Sequence, residues 1–243
     1  MSGTMAAAPG PTDVVVTGGG VSLPGSLTTP RECRGTVVFA HGSGSSRLSS
    51  RNIAVAQSLA DRGCATLLFD LLTPGEASDR TNVFDIVLLG DRVLDATNWL
   101  AGRRELGGLP VGYFGASTGA AAALVAAARL GDQVSAVVSR GGRPDLAGDA
   151  LRRVTAPTLF LVGSYDGEVL RLNRQAREKL KSPSELKVIE GAGHLFEEPG
   201  TLEQVAEAAG SWFVQHFAAR TGQGDEPAGG PEKPGRSPVA GPS

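Results

Sequence analysis

Cysteine is nearly missing from this chain: there are two, Cys33 and Cys64, in 243 residues. Neither stands in a C-x-x-C or zinc-type spacing, which argues against a disulfide framework and against structural zinc. Two lone thiols suit a reducing compartment. Long apolar runs are missing too. None approaches the roughly 18 residues that a membrane-spanning helix needs. Charge of one sign is missing: 23 Lys and Arg stand against 25 Asp and Glu, for a net charge of -2. With no Lys/Arg cluster either, a nucleic-acid partner is disfavoured. Residues 1–11 have no basic n-region and no long apolar h-region, so no secretion signal is read there and a cytoplasmic location is expected. What is present is ordinary for a globular protein, 41% hydrophobic and 20% charged residues, on a chain long enough to bury a large core.

Composition divides the chain. Residues 1–12 are small and polar and read as a flexible start. Residues 221–243 are Gly, Pro and charge with almost nothing apolar, which cannot offset the entropy of ordering them, so a disordered tail is expected. Between them, residues 13–220 alternate. Short apolar runs at 14–16, 36–40, 65–70, 111–115, 134–138, 158–162 and 186–189 are separated by amphipathic stretches at 51–62, 83–100, 118–130, 169–181 and 201–217. Runs that short and that continuously apolar read as buried strands, and the longer stretches as helices. Strand and helix in series predict an α/β domain whose mostly parallel sheet has helices on both faces. No helix separates the first strands, within 14–28, so these are expected to form an antiparallel edge. In such sheets ligands bind outside the carboxyl ends of the strands.

The polar residues that follow the strands are therefore the candidates. Gly115-Ala116-Ser117-Thr118-Gly119 is a G-x-S-x-G between an apolar run and an Ala-rich helical run. That strand–turn–helix setting is the one in which the motif exposes a nucleophilic hydroxyl, and the tight turn demands glycine on either side. A serine hydroxyl needs a positioned base. Of the three histidines, His41, His194 and His216, only His194 comes after Ser117 and just past a strand end. His216, late in the last helix, reads as a partner of the helix dipole, and His41 as a residue that shapes its loop. The base needs an orienting carboxylate. Asp166 follows the strand TLFLVG and ranks first; Glu168 and Asp145 compete. The oxyanion of an acyl-transfer intermediate needs preorganised N–H donors. The Thr118 amide is one candidate, and the Ser43 amide in His41-Gly42-Ser43-Gly44 the other, with Gly42 as runner-up. That loop lacks the Lys-Ser/Thr of a phosphate-binding loop. Asp70 and Glu76, past another strand end, read as loop-shaping, and Arg140 and Arg143 as charge at the rim.

Ser117, Asp166 and His194, in that order and setting, resemble the α/β-hydrolase superfamily. The stretches VVFAHGSGSSRLSSRN, LLFDLLTPGE, GYFGASTGAAAAL, VVSRGGRPDLA, TLFLVGSYDGEVLRLNRQA and IEGAGHLFEEPG resemble its dienelactone-hydrolase-like group of small bacterial enzymes. The resemblance implies an α/β-hydrolase fold, a Ser117–His194–Asp166 triad, and no metal or cofactor. Dienelactone hydrolase itself carries Cys at the elbow, where this chain has Ser117, which points to a serine esterase. Similar actinobacterial domains stand beside, or fused to, a phosphoribosyltransferase-like protein, so a partner of that kind is implied.

Only residues 140–154 separate the strand ending near Ser139 from the next, too few for a cap domain. The site is expected to be open and to take a small carboxylic ester, thioester or lactone. The same triad serves acyltransferases and peptidases, and the fold also serves silent binding modules. Both alternatives remain open at this level.

Overall fold

The computed structural model of the chain describes residues 9–222. Eight strands form one sheet, in the order β1-β2-β4-β3-β5-β6-β7-β8. β1 (Thr12–Gly18) and β2 (Val21–Thr28) are an antiparallel hairpin, and β2 is also antiparallel to β4 (Cys64–Phe69). β3 (Gly35–Ala40), β4, β5 (Val111–Ala116), β6 (Val134–Arg140), β7 (Thr158–Gly163) and β8 (Ser184–Ile189) run parallel. β3, β4, β6 and β7 are buried at every position, as strands covered on both faces must be.

Helices cover the two faces. α1 (Ser50–Asp61) and α7 (Thr201–Gly222) bury Val55, Leu59, Val205, Phe213 and Phe217 on one side. α4 (Ile86–Ala101), α5 (Thr118–Leu130) and α6 (Gly167–Lys179) cover the other, with Leu89, Val93, Leu124 and Ala176 in its core. The β6–β7 connection holds only a run of 3-10 turns, Pro144–Arg153, so no cap domain rises above the sheet.

The helical stretch expected over 83–100 is α4, which starts three residues later at Ile86. α2 (Pro74–Ala77) and α3 (Arg80–Val83) precede α4 as separate turns. Side-chain caps cause the breaks. Thr73 and Glu76 form a capping box, Asp79 accepts from Thr81 N–H at 2.8 Å, and Asp85 accepts from Val87 and Leu88 N–H at 3.0 Å. The expected flexible start and tail fall largely outside the described residues. β1 begins at Thr12, and α7 runs through Gly222, two residues into the stretch assigned to the tail. No helix among the described residues is long and apolar enough to cross a membrane.

Candidate active site

Ser117 sits where β5 turns into α5, with φ +51° and ψ -122°. That left-handed conformation costs a non-glycine residue on the order of 1–3 kcal/mol, which the surrounding packing must sustain. The flanking glycines make the turn possible. A Cβ on Gly115 would lie 2.7 Å from Ala120 N and 2.8 Å from Gly119 O, and one on Gly119 would collide with the Ala40 and His41 carbonyl oxygens. Ser117 N–H donates to Arg140 O at 3.2 Å, and Ser117 O accepts from Arg143 N–H at 3.0 Å. The hydroxyl is thereby held at the end of β5, over the first turn of α5.

His194 and Asp166 come from two loops laced to each other. Ser164 N–H donates to Ile189 O at 3.0 Å, Tyr165 N–H to Ala192 O at 2.9 Å, and Gly191 N–H to Ser164 Oγ at 2.9 Å. Gly193 N–H donates to Glu198 Oε1 at 3.1 Å, which holds that carboxyl below the usual carboxylate range. His194 Nδ1 then lies 2.6 Å from Asp166 Oδ2. In the Nδ1–H tautomer the carboxylate accepts this hydrogen bond and Nε2 keeps a free lone pair. The other two carboxylates are engaged elsewhere. Asp145 pairs in two-pronged fashion with Arg143, at 2.9 and 2.8 Å, and Glu168 with Arg171 at 2.6 Å. The His194 side chain is 40% exposed and that of Asp166 15%, so the imidazole faces solvent while its carboxylate is sheltered.

The Arg140–Gly141 turn brings the two halves together. Ser117 is bonded to Arg140 O, and a Cβ on Gly141 would lie 3.6 Å from His194 Cε1. No hydrogen bond joins Ser117 Oγ to His194 Nε2 in this structure. Such bonds commonly tighten only once substrate is bound.

The loop after β3 borders the hydroxyl. A Cβ on Gly42 would lie 3.0 Å from Ser117 Cβ and 3.7 Å from Ser117 Oγ, so this glycine keeps the space beside the serine open. His41 Nδ1–H donates to Gly42 O at 3.0 Å, and His41 Nε2 accepts from Leu71 N–H at 3.1 Å. Burial holds this imidazole below its ordinary value, consistent with a neutral ring that shapes the loop. Ser43 N–H donates to Thr118 Oγ1 at 2.8 Å. The Ser43 amide, expected as an oxyanion donor, is thus engaged by the Thr118 hydroxyl. Asp70 accepts from Arg47 N–H at 2.8 Å and from Arg47 Nη1 at 2.9 Å, which pins the far end of the loop.

Two residues differ from their sequence reading or were missed by it. Arg140 is not charge at the rim: it is 7% exposed, its Nη2 donates to Asn52 Oδ1 at 3.3 Å, and its guanidinium lies 5.8 Å from the centre of the Phe196 ring. It ends β6 on the face covered by α1 and α7, so it points inward. Burial, with the nearby Arg51 charge, lowers its pKa to about 10. It thus stays charged at neutral pH. Phe196 is buried at φ +56°, the second strained non-glycine residue beside the site. Nothing in the local patterns VVSRGG and GHLFEE signals the burial of Arg140 or the strain at Phe196. Neither thiol is a nucleophile candidate: burial raises Cys33 and pushes Cys64 up to about 12. Among the described residues no group of three or more His, Cys, Asp or Glu is placed to hold a metal ion.

Residues 35–156 match the family described as alpha/beta hydrolase fold, which is half of the chain. The chain belongs to that family. Within the α/β-hydrolases it falls with the dienelactone-hydrolase-like group. A dienelactone hydrolase from Anabaena variabilis is 51% identical, with a TM-score of 0.83 over 86% of this chain and 99% of that one. Est1E from Butyrivibrio proteoclasticus is 17% identical, with a TM-score of 0.73 over 86% of this chain and 100% of its own, a likeness of fold alone. A Mycobacterium tuberculosis protein provisionally named a phosphoribosyl transferase is 60% identical over 205 residues, which are 84% of this chain and 46% of that protein. The chain thus spans about half the length of the curated relatives it matches.

Proposed function

We propose that this α/β-hydrolase is a serine esterase that cleaves small carboxylic esters through an acyl-enzyme on Ser117. The supporting observation is the joint geometry at the ends of β5, β7 and β8. A serine held in a strained turn is bonded to Arg140 of the Arg140–Gly141 turn, and Gly141 borders an imidazole whose Nδ1 lies 2.6 Å from a sheltered carboxylate. Ser117 Oγ attacks the ester carbonyl as His194 Nε2 takes its proton. Asp166 keeps the imidazole in the Nδ1–H tautomer and stabilises its cation. The oxyanion accepts from the Thr118 amide and from the Ser43 amide, which must turn from Thr118 Oγ1 or be shared with it. His194 then hands the proton to the alcohol oxygen and activates the water that releases the acid. Two unpaired thiols suit a protein working in the reducing cytoplasm.

Labelling by a fluorophosphonate probe, alongside hydrolysis of 4-nitrophenyl acetate, tests the reading. The wild type should take one adduct on Ser117 and turn over the ester. Ser117→Ala should lose both, with a drop in kcat of at least about a thousandfold, and Asp166→Asn should lose a comparable share of kcat with the fold intact. A folded wild type that takes no adduct would overturn it.

The name of the Mycobacterium tuberculosis relative supports a second reading, in which hydrolysis is one half of a larger protein's work. On that reading phosphoribosyl transfer belongs to the part of the relative that this chain does not match. This chain, given phosphoribosyl pyrophosphate and a panel of nucleobases, should then release no pyrophosphate. Release by this chain alone would reassign the activity.

A further inference from the structure

The β4–α4 connection, α2 and α3 included, does more than join two elements. Together with the loop after β3 it walls a cavity of about 330 Å³. Gly42 and Ser43 border the cavity on the side of the hydroxyl; Leu71, Leu72, Ala77 and Val83 are among the apolar residues that line it. Ser117 does not line it, but Gly42 does, and Gly42 packs against Ser117. We propose that this cavity is the subsite for the acyl half of the ester, and that it selects an uncharged apolar acyl group larger than acetyl. The proposal rests on the ester-hydrolase reading and gives it a substrate class.

Direction in the sheet assigns the acyl half. The general acid must stand beside the leaving oxygen to protonate it. His194 and Asp166 follow β8 and β7, on one side of Ser117 in the strand order, so the alcohol leaves toward β6–β8. The acyl group then lies toward β3 and β4, where the cavity is. Polarity assigns the chemistry. Asp70 is the one carboxylate in the lining, and both its oxygens accept from Arg47. His41 has both ring nitrogens committed. An acyl group entering therefore finds mostly carbon, the neutral residues Ser43, Ser45 and Ser46 at the loop after β3, and no free charge, so a charged terminus would lose its water without gaining an opposite charge. The wall is rigid at α2. Glu76 accepts from Thr73 N–H at 2.9 Å and from the buried Arg92 at 2.7 Å. The volume is near the lower end of the roughly 300–1,000 Å³ found for small-molecule sites, enough for a short chain or one ring.

The experiment compares three esters with one leaving group: 4-nitrophenyl acetate, 4-nitrophenyl hexanoate and the mono-4-nitrophenyl ester of adipic acid, which carries a carboxylate in place of the terminal methyl of hexanoate. Each buried methylene should raise kcat/KM by up to about fourfold. Hexanoate should therefore exceed acetate by tenfold or more, and the adipate half-ester should fall tenfold or more below hexanoate. Val83→Phe, from half-buried α3, and Ala77→Phe, from exposed α2, should fill the cavity. Each should bring the hexanoate-to-acetate ratio down toward one, read as a ratio within each folded variant. Two positions of different burial guard against one variant misfolding. An unchanged hexanoate-to-acetate ratio in both folded variants, or an adipate half-ester as good as hexanoate, would overturn the subsite. If the wild type hydrolyses no ester and Ser117 takes no fluorophosphonate, the esterase reading itself falls, and the subsite with it.

Discussion

His41 illustrates how much a single ring can hold in place. Its Nε2 accepts the Leu71 amide and its Nδ1–H serves the Gly42 carbonyl, so one neutral imidazole joins the loop after β3 to the end of β4. Protonation of Nε2 would set two donors against each other. Burial lowers the folded-state pKa below the ordinary value of about 6.5. Between those two values the unfolded chain binds the proton more readily, so stability is complete above about pH 6.5 and is lost as pH falls through the depressed value. Thermal melts from about pH 7.5 down to about pH 5 should therefore show Tm falling more steeply in wild type than in His41→Gln. Burial lowers His216 as well, but it is common to both proteins and cancels in the comparison. Parallel slopes would show that His41 is not a source of acid sensitivity.

At the scale of elements, the nucleophile turn depends on how closely α5 approaches β3. Gly119 is the residue that permits it, because any Cβ there would enter the Ala40 and His41 carbonyls, which are backbone and cannot rotate away. Gly119→Ala should lower Tm by more than about 10 °C or leave the protein insoluble, since a backbone clash of this kind costs several kcal/mol. Gly167→Ala is the control. It opens α6, has nothing within 4 Å of an added Cβ, and should leave Tm within about 2 °C of wild type. Equal effects from the two substitutions would mean that α5 can withdraw from β3 at little cost. The same elements explain where the substrate wall lies. The β6–β7 connection is taken up by 3-10 turns close to the sheet, while the caps at Thr73, Asp79 and Asp85 raise α2 and α3 beside the site.

The whole molecule is held by two apolar layers, one on each face of the sheet. α7 covers much of one layer, and its Phe213 and Phe217 rings, with centroids 5.7 Å apart, fill the space that Gly112 and Gly35 leave on the strands. Phe213 is fully buried, so Phe213→Ala removes a ring that nothing else can replace. The loss should be about 3–5 kcal/mol, a fall in Tm of about 10 °C or more by calorimetry, while kcat at a permissive temperature stays near wild type because the site lies at the strand ends. A loss of kcat with Tm unchanged would place α7 in the site and not under it.

Much of this architecture was legible before any coordinates. The apolar runs at 36–40, 65–70 and 158–162 are strands, and the stretch 118–130 is α5 with both bounds matched. Such features depend on neighbours a few residues away: continuous apolarity where both faces are covered, helical spacing where one is, and glycines where a turn admits no side chain. The choice of Ser117, Asp166 and His194 as candidates rests on the same locality, each standing just past a strand. What no local pattern held was the outcome of strand order and burial. Arg140 reads as surface charge in the sequence, and only the packing of α1 and Phe196 over the end of β6 makes it an interior cation. Asp166 ranks first among the three carboxylates by its place just past β7, but only the fold shows Arg143 and Arg171 engaging Asp145 and Glu168. The cavity arises where β4, α3 and the loop after β3 converge, from segments more than thirty residues apart, such as Gly42 and Val83. Periodicity is written by adjacent residues, so the sequence determines the elements. Convergence depends on which elements become neighbours in space, and only the folded sheet decides that.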